Sequence, residues 1–158
     1  MSGEGAPVIG IPKLSQAKVA IVSSQWHMDI CNALVDGALR ACEQADLAET
    51  RIEWVPGSFE LPLACAYLLN NGYDAVVAVG LVLKGETPHF DFVCDGVTSG
   101  LMDLMVTLKK PIGFGVLMCN TLEQAQARSG LQGSVEDKGF EAANAALQML
   151  ELERRIVQ

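Results

Sequence analysis

The sequence predicts an α/β protein, a parallel sheet of about four strands with helices on both faces. Two observations carry that expectation. Apolar runs of strand length alternate with stretches of helical period, the pattern of βαβ units. The composition agrees: 158 residues are 50% hydrophobic but only 6% aromatic, so the apolar content is mostly Ala, Val and Leu, suited to Ala-rich helices on a Val-rich sheet. With 19% charged residues and a mean hydropathy of +0.27, the chain fits one ordinary domain, and disorder is excluded for most of its length.

Residues 1–16, with Gly10, Pro12 and a short Val8-Ile9 pair, read as too polar and broken for a core. They form either a disordered tail or an edge strand added to a neighbouring subunit, and a single domain then spans 17–158. The first strand is Val19 to Val22. An amphipathic helix over 28–45 follows, because Cys31, Leu34, Val35, Ala38, Ala41, Cys42 and Ala45 recur at helical spacing. Ile52 to Val55 is the second strand. Leu61, Ala64, Cys65 and Leu68 mark the next helix, with Pro62 in its first turn and Asn71-Gly72 as its stop.

Ala75 to Leu83 is the third strand, and the helix after it has Thr87 as cap, Pro88 at its first position, His89 at its second and apolar residues at 90, 93, 94, 97, 101, 104, 105 and 108. Lys109-Lys110-Pro111 ends it. The fourth strand is Ile112 to Met118, followed by a short helix from the capping box Thr121-Leu-Glu-Gln124 to Arg128, with Gly130 as stop. A Gly-containing loop, 131–138, leads to an Ala-rich helix over about 139–155.

Eleven Lys and Arg against nineteen Asp and Glu give a net charge of −8, a field that repels phosphate backbones and anionic membranes, so neither nucleic acid nor a membrane is an expected partner. The longest strongly apolar uncharged run, Ala75 to Leu83, is far too short to cross a bilayer, and no signal peptide is visible in Met1 to Gln16. Five cysteines without C-x-x-C spacing point to a reduced, cytoplasmic protein. Neither a phosphate-binding G-x-x-x-x-G-K-[ST] nor a G-x-S-x-G elbow occurs, and two histidines without clustered cysteines give no support to a metal site. A Cys–His nucleophilic pair would need Cys94 or Cys119 with His89, yet Cys94 falls on an apolar helix stripe.

In open α/β sheets ligands bind beyond the carboxyl ends of the strands. Those positions hold Ser23 to His27, Pro56 to Glu60, Lys84 to His89 and Cys119 to Thr121. Gly85-Glu86-Thr87 before a helix start offers backbone N–H groups to an anion, although Thr87-Pro88 alone reads equally as a plain cap. His89 sits where the positive end of a helix favours a neutral ring able to accept or pass a proton. Gly57-Ser58-Phe59-Glu60 also reads as a helix start with Ser58 as cap.

Taken together, Ser24-Gln-Trp-His27, Val55-Pro-Gly-Ser-Phe-Glu-Leu-Pro62, the segment Val79 to Cys94, Gly113-Phe-Gly-Val-Leu117 and Glu123 to Arg128 resemble the lumazine synthases of riboflavin biosynthesis, in order over about residues 17–150. The resemblance implies a flavodoxin-like three-layer α/β/α sandwich that needs no cofactor and no metal. The reaction it implies joins 5-amino-6-ribitylamino-2,4-pyrimidinedione to 3,4-dihydroxy-2-butanone 4-phosphate, releasing phosphate and two waters. Trp26 would stack on the pyrimidine, His27 would stand beside the ribityl chain where many members have Asn, and Ser58 and Glu60, with Gly57 and Phe59, would meet ring and ribityl polar groups. Val82, Leu83 and Lys84 would line the same substrate. Gly85, Glu86 and Thr87 would wrap the phosphate, Glu86 through its N–H with its carboxylate turned to solvent, and Arg128 would supply the positive charge. His89 matches the proton-transfer histidine and Lys138 a lysine near the site, while Phe114 would come from an adjacent subunit. The separation of Arg128 and Lys138 by ten positions, longer than in shell-forming members, implies a free homopentamer with sites at its interfaces, and riboflavin synthase is the implied functional partner.

Overall fold

The computed structural model describes Gly5, Pro7 and residues 9–157. Four strands, β1 (Lys18–Ser24), β2 (Glu49–Val55), β3 (Ala75–Leu83) and β4 (Ile112–Cys119), form one parallel sheet in the order β2-β1-β3-β4. Ile21 is in register with Ile52 on one side and Val77 on the other, and Ala78 with Phe114. Five helices, α1 (Met28–Ala45), α2 (Leu61–Asn70), α3 (His89–Leu108), α4 (Leu122–Gln126) and α5 (Lys138–Ile156), complete the described chain with one 3-10 turn at Ser58–Glu60.

Strand residues alternate between two cores, which makes the three layers. Val19, Ile21, Val77 and Val79 pack against α1 and α5, whereas Ala20, Val22, Val76 and Ala78 pack against α2 and α3. Gly139 lets α5 lie against α1: a Cβ there would run into the backbone carbonyl of Leu34. Because α1 leaves β1 on one face and α3 leaves the neighbouring β3 on the other, a crevice opens between the carboxyl ends of these two strands.

Several elements depart from expectation. β2 begins at Glu49, before its apolar part, because it is an edge strand with one flank open to water. Its polar half is held by ion pairs, Lys18 with Glu49 and Arg51 with Glu53, and by the Tyr73 hydroxyl donating to Glu49. α3 begins at His89, so Pro88 rather than Thr87 occupies the cap position, and no side chain caps it. The Pro88 carbonyl closes the first turn by accepting from the Asp91 amide at 3.0 Å, and the residue before a proline is disfavoured in helical backbone. Ser58 lies inside the 3-10 turn and caps nothing, its hydroxyl facing the Leu81 carbonyl at 3.4 Å instead. The box at Thr121 does form, with Gln124 answering to the amide of Asn120. Asp137 starts α5 by accepting from the Phe140 amide at 3.0 Å.

The N-terminal segment is less broken than expected. Leu14 is buried in the α1–α5 core, Ile11 packs beside it, and Asn144 and Gln148 of α5 donate to the carbonyls of Ile9 and Gly10. The choice between tail and edge strand falls mainly on residues 1–8, which apart from Gly5 and Pro7 lie outside the described residues.

Candidate active site

A cavity of about 810 Å³ occupies the crevice between β1 and β3. Three segments that follow strands build it. Trp26 and His27 come from the turn after β1, Gly57 to Glu60 from the turn after β2, and Leu81 to Gly85 with Thr87 and His89 from the end of β3 and the start of α3. The volume suits a small organic ligand with several polar groups.

The turn after β1 is fixed by its own residues. His27 takes a left-handed conformation, φ 54° and ψ 66°, as the cap of α1, a backbone that non-glycine residues seldom adopt. The Cys31 thiol donates to the Trp26 carbonyl at 3.0 Å and pins the turn from beneath. Trp26 is left 66% exposed, its ring at the cavity mouth with Phe59 and Phe92. At the floor, Gly80 admits two buried hydroxyls, since a Cβ there would stand 2.6 Å from Ser24 Oγ and 2.9 Å from Ser58 Oγ.

At the other end, the Lys84 amide still donates to Cys119 at 2.9 Å, and the chain then turns through Gly85, Glu86 and Thr87 into α3. His89 is the first residue of that helix. Glu86 is exposed and does not line the cavity.

Twelve residues singled out from the sequence thus meet around one cavity, and Glu86, Phe114, Arg128 and Lys138 do not. Phe114 is half-exposed on the edge strand β4. Arg128 and Lys138 lie beyond the end of β4, where the Lys138 amide donates to the Arg128 carbonyl at 3.0 Å. Arg128 also donates from Nη1 to the Gln124 carbonyl at 2.9 Å. Partial burial disfavours the Lys138 ammonium, but Glu141 and Glu136 outweigh it and hold its pKa above the ordinary lysine value.

Leu81, Phe90, Phe92 and Val93 line the cavity without having been singled out. Phe90 and Val93 belong to the apolar stripe of α3, which reads as core. In its first turn that stripe reaches past the sheet edge and faces the crevice. Glu136, between Arg128 and Lys138, carried no motif at all.

All five cysteines are unpaired. Burial pushes the Cys42 and Cys65 thiols up to about 12 and raises Cys94 and Cys119 as well, the Arg128 charge only partly offsetting it at Cys119. None is an activated nucleophile, and the thiol reading of the site fails. Among the described residues no cluster of His, Cys, Asp and Glu is placed to hold a metal ion, and no helix is long and apolar enough to cross a membrane.

The family model described as 6,7-dimethyl-8-ribityllumazine synthase matches residues 16–154, which include every segment that lines the cavity. The chain belongs to the 6,7-dimethyl-8-ribityllumazine synthase family. It is similar to the protein of that name from Paenarthrobacter aurescens, 55% identical over 152 residues that cover 93% of this chain and 94% of the relative. The protein of the same name from Streptomyces coelicolor is 51% identical over 147 residues, 93% of this chain and 91% of the relative. That from Cutibacterium acnes is 49% identical over 148 residues, 94% and 89% of the two chains.

Proposed function

We propose that this chain is a lumazine synthase that condenses 5-amino-6-ribitylamino-2,4-pyrimidinedione with 3,4-dihydroxy-2-butanone 4-phosphate to 6,7-dimethyl-8-ribityllumazine, releasing phosphate and two waters. The observation that carries the reading is the meeting, in one cavity, of an aromatic platform, paired polar groups and a glycine-containing turn into a helix start. Trp26 stacks on the pyrimidine ring. Ser58 and Glu60 meet its polar groups and the ribityl hydroxyls, with His27 beside the chain. Gly85 and Thr87, with the Glu86 amide, receive the phosphate at the positive end of α3.

His89 moves protons at the same helix start. The substrate amine attacks the ketone and loses water to give an imine, phosphate then leaves, and closure of the second ring releases the second water. Each step shifts a proton near neutral pH, which an imidazole does well. Holding two small reactants in register contributes on the order of 7–11 kcal/mol when geometry is right, so few acid or base groups are needed.

Phe114, Arg128 and Lys138 complete the site from a neighbouring subunit. Their absence from the cavity of their own chain supports this, as do the exposed Leu63, Tyr67, Met102 and Val106, apolar side chains that gain by association. The assembly is a cytoplasmic homopentamer that works without a cofactor, and riboflavin synthase consumes its product. Mixing the protein with both substrates tests the reading: inorganic phosphate and fluorescent lumazine appear together in equal amounts, and His89→Ala slows both. A folded protein that forms neither product above the uncatalysed rate, yet carries bound riboflavin, is a flavin binder instead.

A further inference from the structure

Arg128 and Lys138 are ten positions apart in sequence and adjacent in space because the chain between them folds back. Ser129 and Asp137 pair as an antiparallel bridge, and the Val135 and Glu136 amides both donate to the Ala127 carbonyl, at 2.9 and 3.1 Å. The fold sets Glu136 between the cations, its Oε2 3.7 Å from Arg128 Nε and 3.4 Å from Lys138 Nζ. The Glu136 side chain is only 10% exposed, and Oε2 accepts no hydrogen bond.

A carboxylate buried this far is a weak source of stability, since its lost hydration offsets most of what the cations return. A buried oxygen left without a hydrogen bond calls for another reason to keep it. Arg128 supplies one. Its Nη1 is held by the Gln124 carbonyl and its Nε faces Glu136, so the guanidinium is gripped on two sides while Nη2 has no hydrogen bond among the described residues. Resting on the reading of Arg128 as the phosphate-binding cation, we propose that Glu136 is a positioning residue for the phosphate-bearing substrate, fixing guanidinium and ammonium at one separation so that both meet the same phosphate.

Glu136 also brings a negative charge near that phosphate. The Arg128 side chain is 42% exposed, so water screens this repulsion. Without Glu136, Lys138 keeps Glu141 at 2.6 Å and Arg128 keeps the Gln124 carbonyl, but neither of those groups touches both cations, so the two side chains lose the one partner that ties them to a common orientation. Positioning therefore outweighs repulsion.

Glu136→Gln keeps the size and removes the charge. In the full-length protein the KM for 3,4-dihydroxy-2-butanone 4-phosphate and the inhibition constant of inorganic phosphate each rise about tenfold, while the pyrimidine KM stays within about twofold and the melting temperature is nearly unchanged. Glu136→Asp, which keeps the charge on a shorter arm, gives an intermediate rise and decides the matter if the Gln variant fails to fold. Unchanged or tighter phosphate binding overturns the proposal, and so do equal losses for both substrates. A wild-type protein that makes no lumazine defeats the proposed activity instead, and inhibition by phosphate is then replaced by direct phosphate binding to wild type and variants, with the same expected tenfold difference.

Discussion

His89 and Arg128 divide the reaction between proton transfer and charge. Replacing His89 by Ala lowers kcat by about ten- to a hundredfold, at or below the low end for a general acid–base, because approximation of the reactants survives. KM for either substrate changes little. Arg128→Ala raises KM for the phosphate substrate more than for the pyrimidine, and equal changes in steady-state assays would refute the assignment. Lys138 adds a pH signature. Its folded-state pKa is raised by the Glu141 and Glu136 carboxylates, so while these are ionised the stability it contributes is present up to pH 10.5 and is lost as pH climbs through the folded value. The gap in denaturation midpoint between wild type and Lys138→Met is therefore constant near neutrality and closes in strong alkali. His89 and most other residues around the cavity were legible because strand ends can be located from the apolar runs and ligands gather there, whereas Arg128 and Lys138 entered only through the family resemblance. Glu136 was not legible, because its meaning depends on a loop folding back to place it between two cations.

Two glycines separate two kinds of close packing. At Gly139 the obstacle to a side chain is the backbone of Leu34, which cannot rotate away, so Gly139→Ala prises α5 from α1 at about 3 kcal/mol in urea unfolding. At Gly80 the obstacles are the hydroxyls of Ser24 and Ser58, which can swing aside. Gly80→Ala therefore costs about 1 kcal/mol but disturbs the cavity floor, and pyrimidine KM rises more than stability falls. The helices were read well where an apolar stripe and a stop coincide, as over Met28–Ala45. The start of β2 was missed because Glu49-Thr50-Arg51 stands on an edge, where the apolar signal of a buried parallel strand disappears. The cap of α3 was misplaced by one residue because Thr87 and Pro88 are each good helix-start residues, and only the closed turn distinguishes them.

For the whole molecule, the family resemblance assigns Phe114 to an adjacent subunit, but the sequence presents Arg128 and Lys138 on the same footing as Ser58. Within one chain they stand apart from the cavity. Order along a chain carries no information about which copy a residue serves, and that is why the sequence alone does not separate the two sets. If neighbours complete the site, activity and assembly fail together. Met102→Asp with Val106→Asp, one turn apart on the exposed face of α3 and outside the cavity, leaves the circular dichroism of a folded chain, reduces the sedimenting species to the 16.9 kDa monomer and abolishes lumazine formation. A dispersed variant with full activity would show that one chain suffices.

The bridge between Ser129 and Asp137 works like the knot at the neck of a balloon. Residues 131–133 beyond it are exposed, and the amides that hold Val135 and Glu136 to Ala127 lie below them. Chain added or removed at Gln132-Gly133 alters the balloon and leaves the neck tied, so the spacing of the two cations is insulated from the length of the segment that joins them. Evolution, or an engineer inserting a tag, has a free variable there.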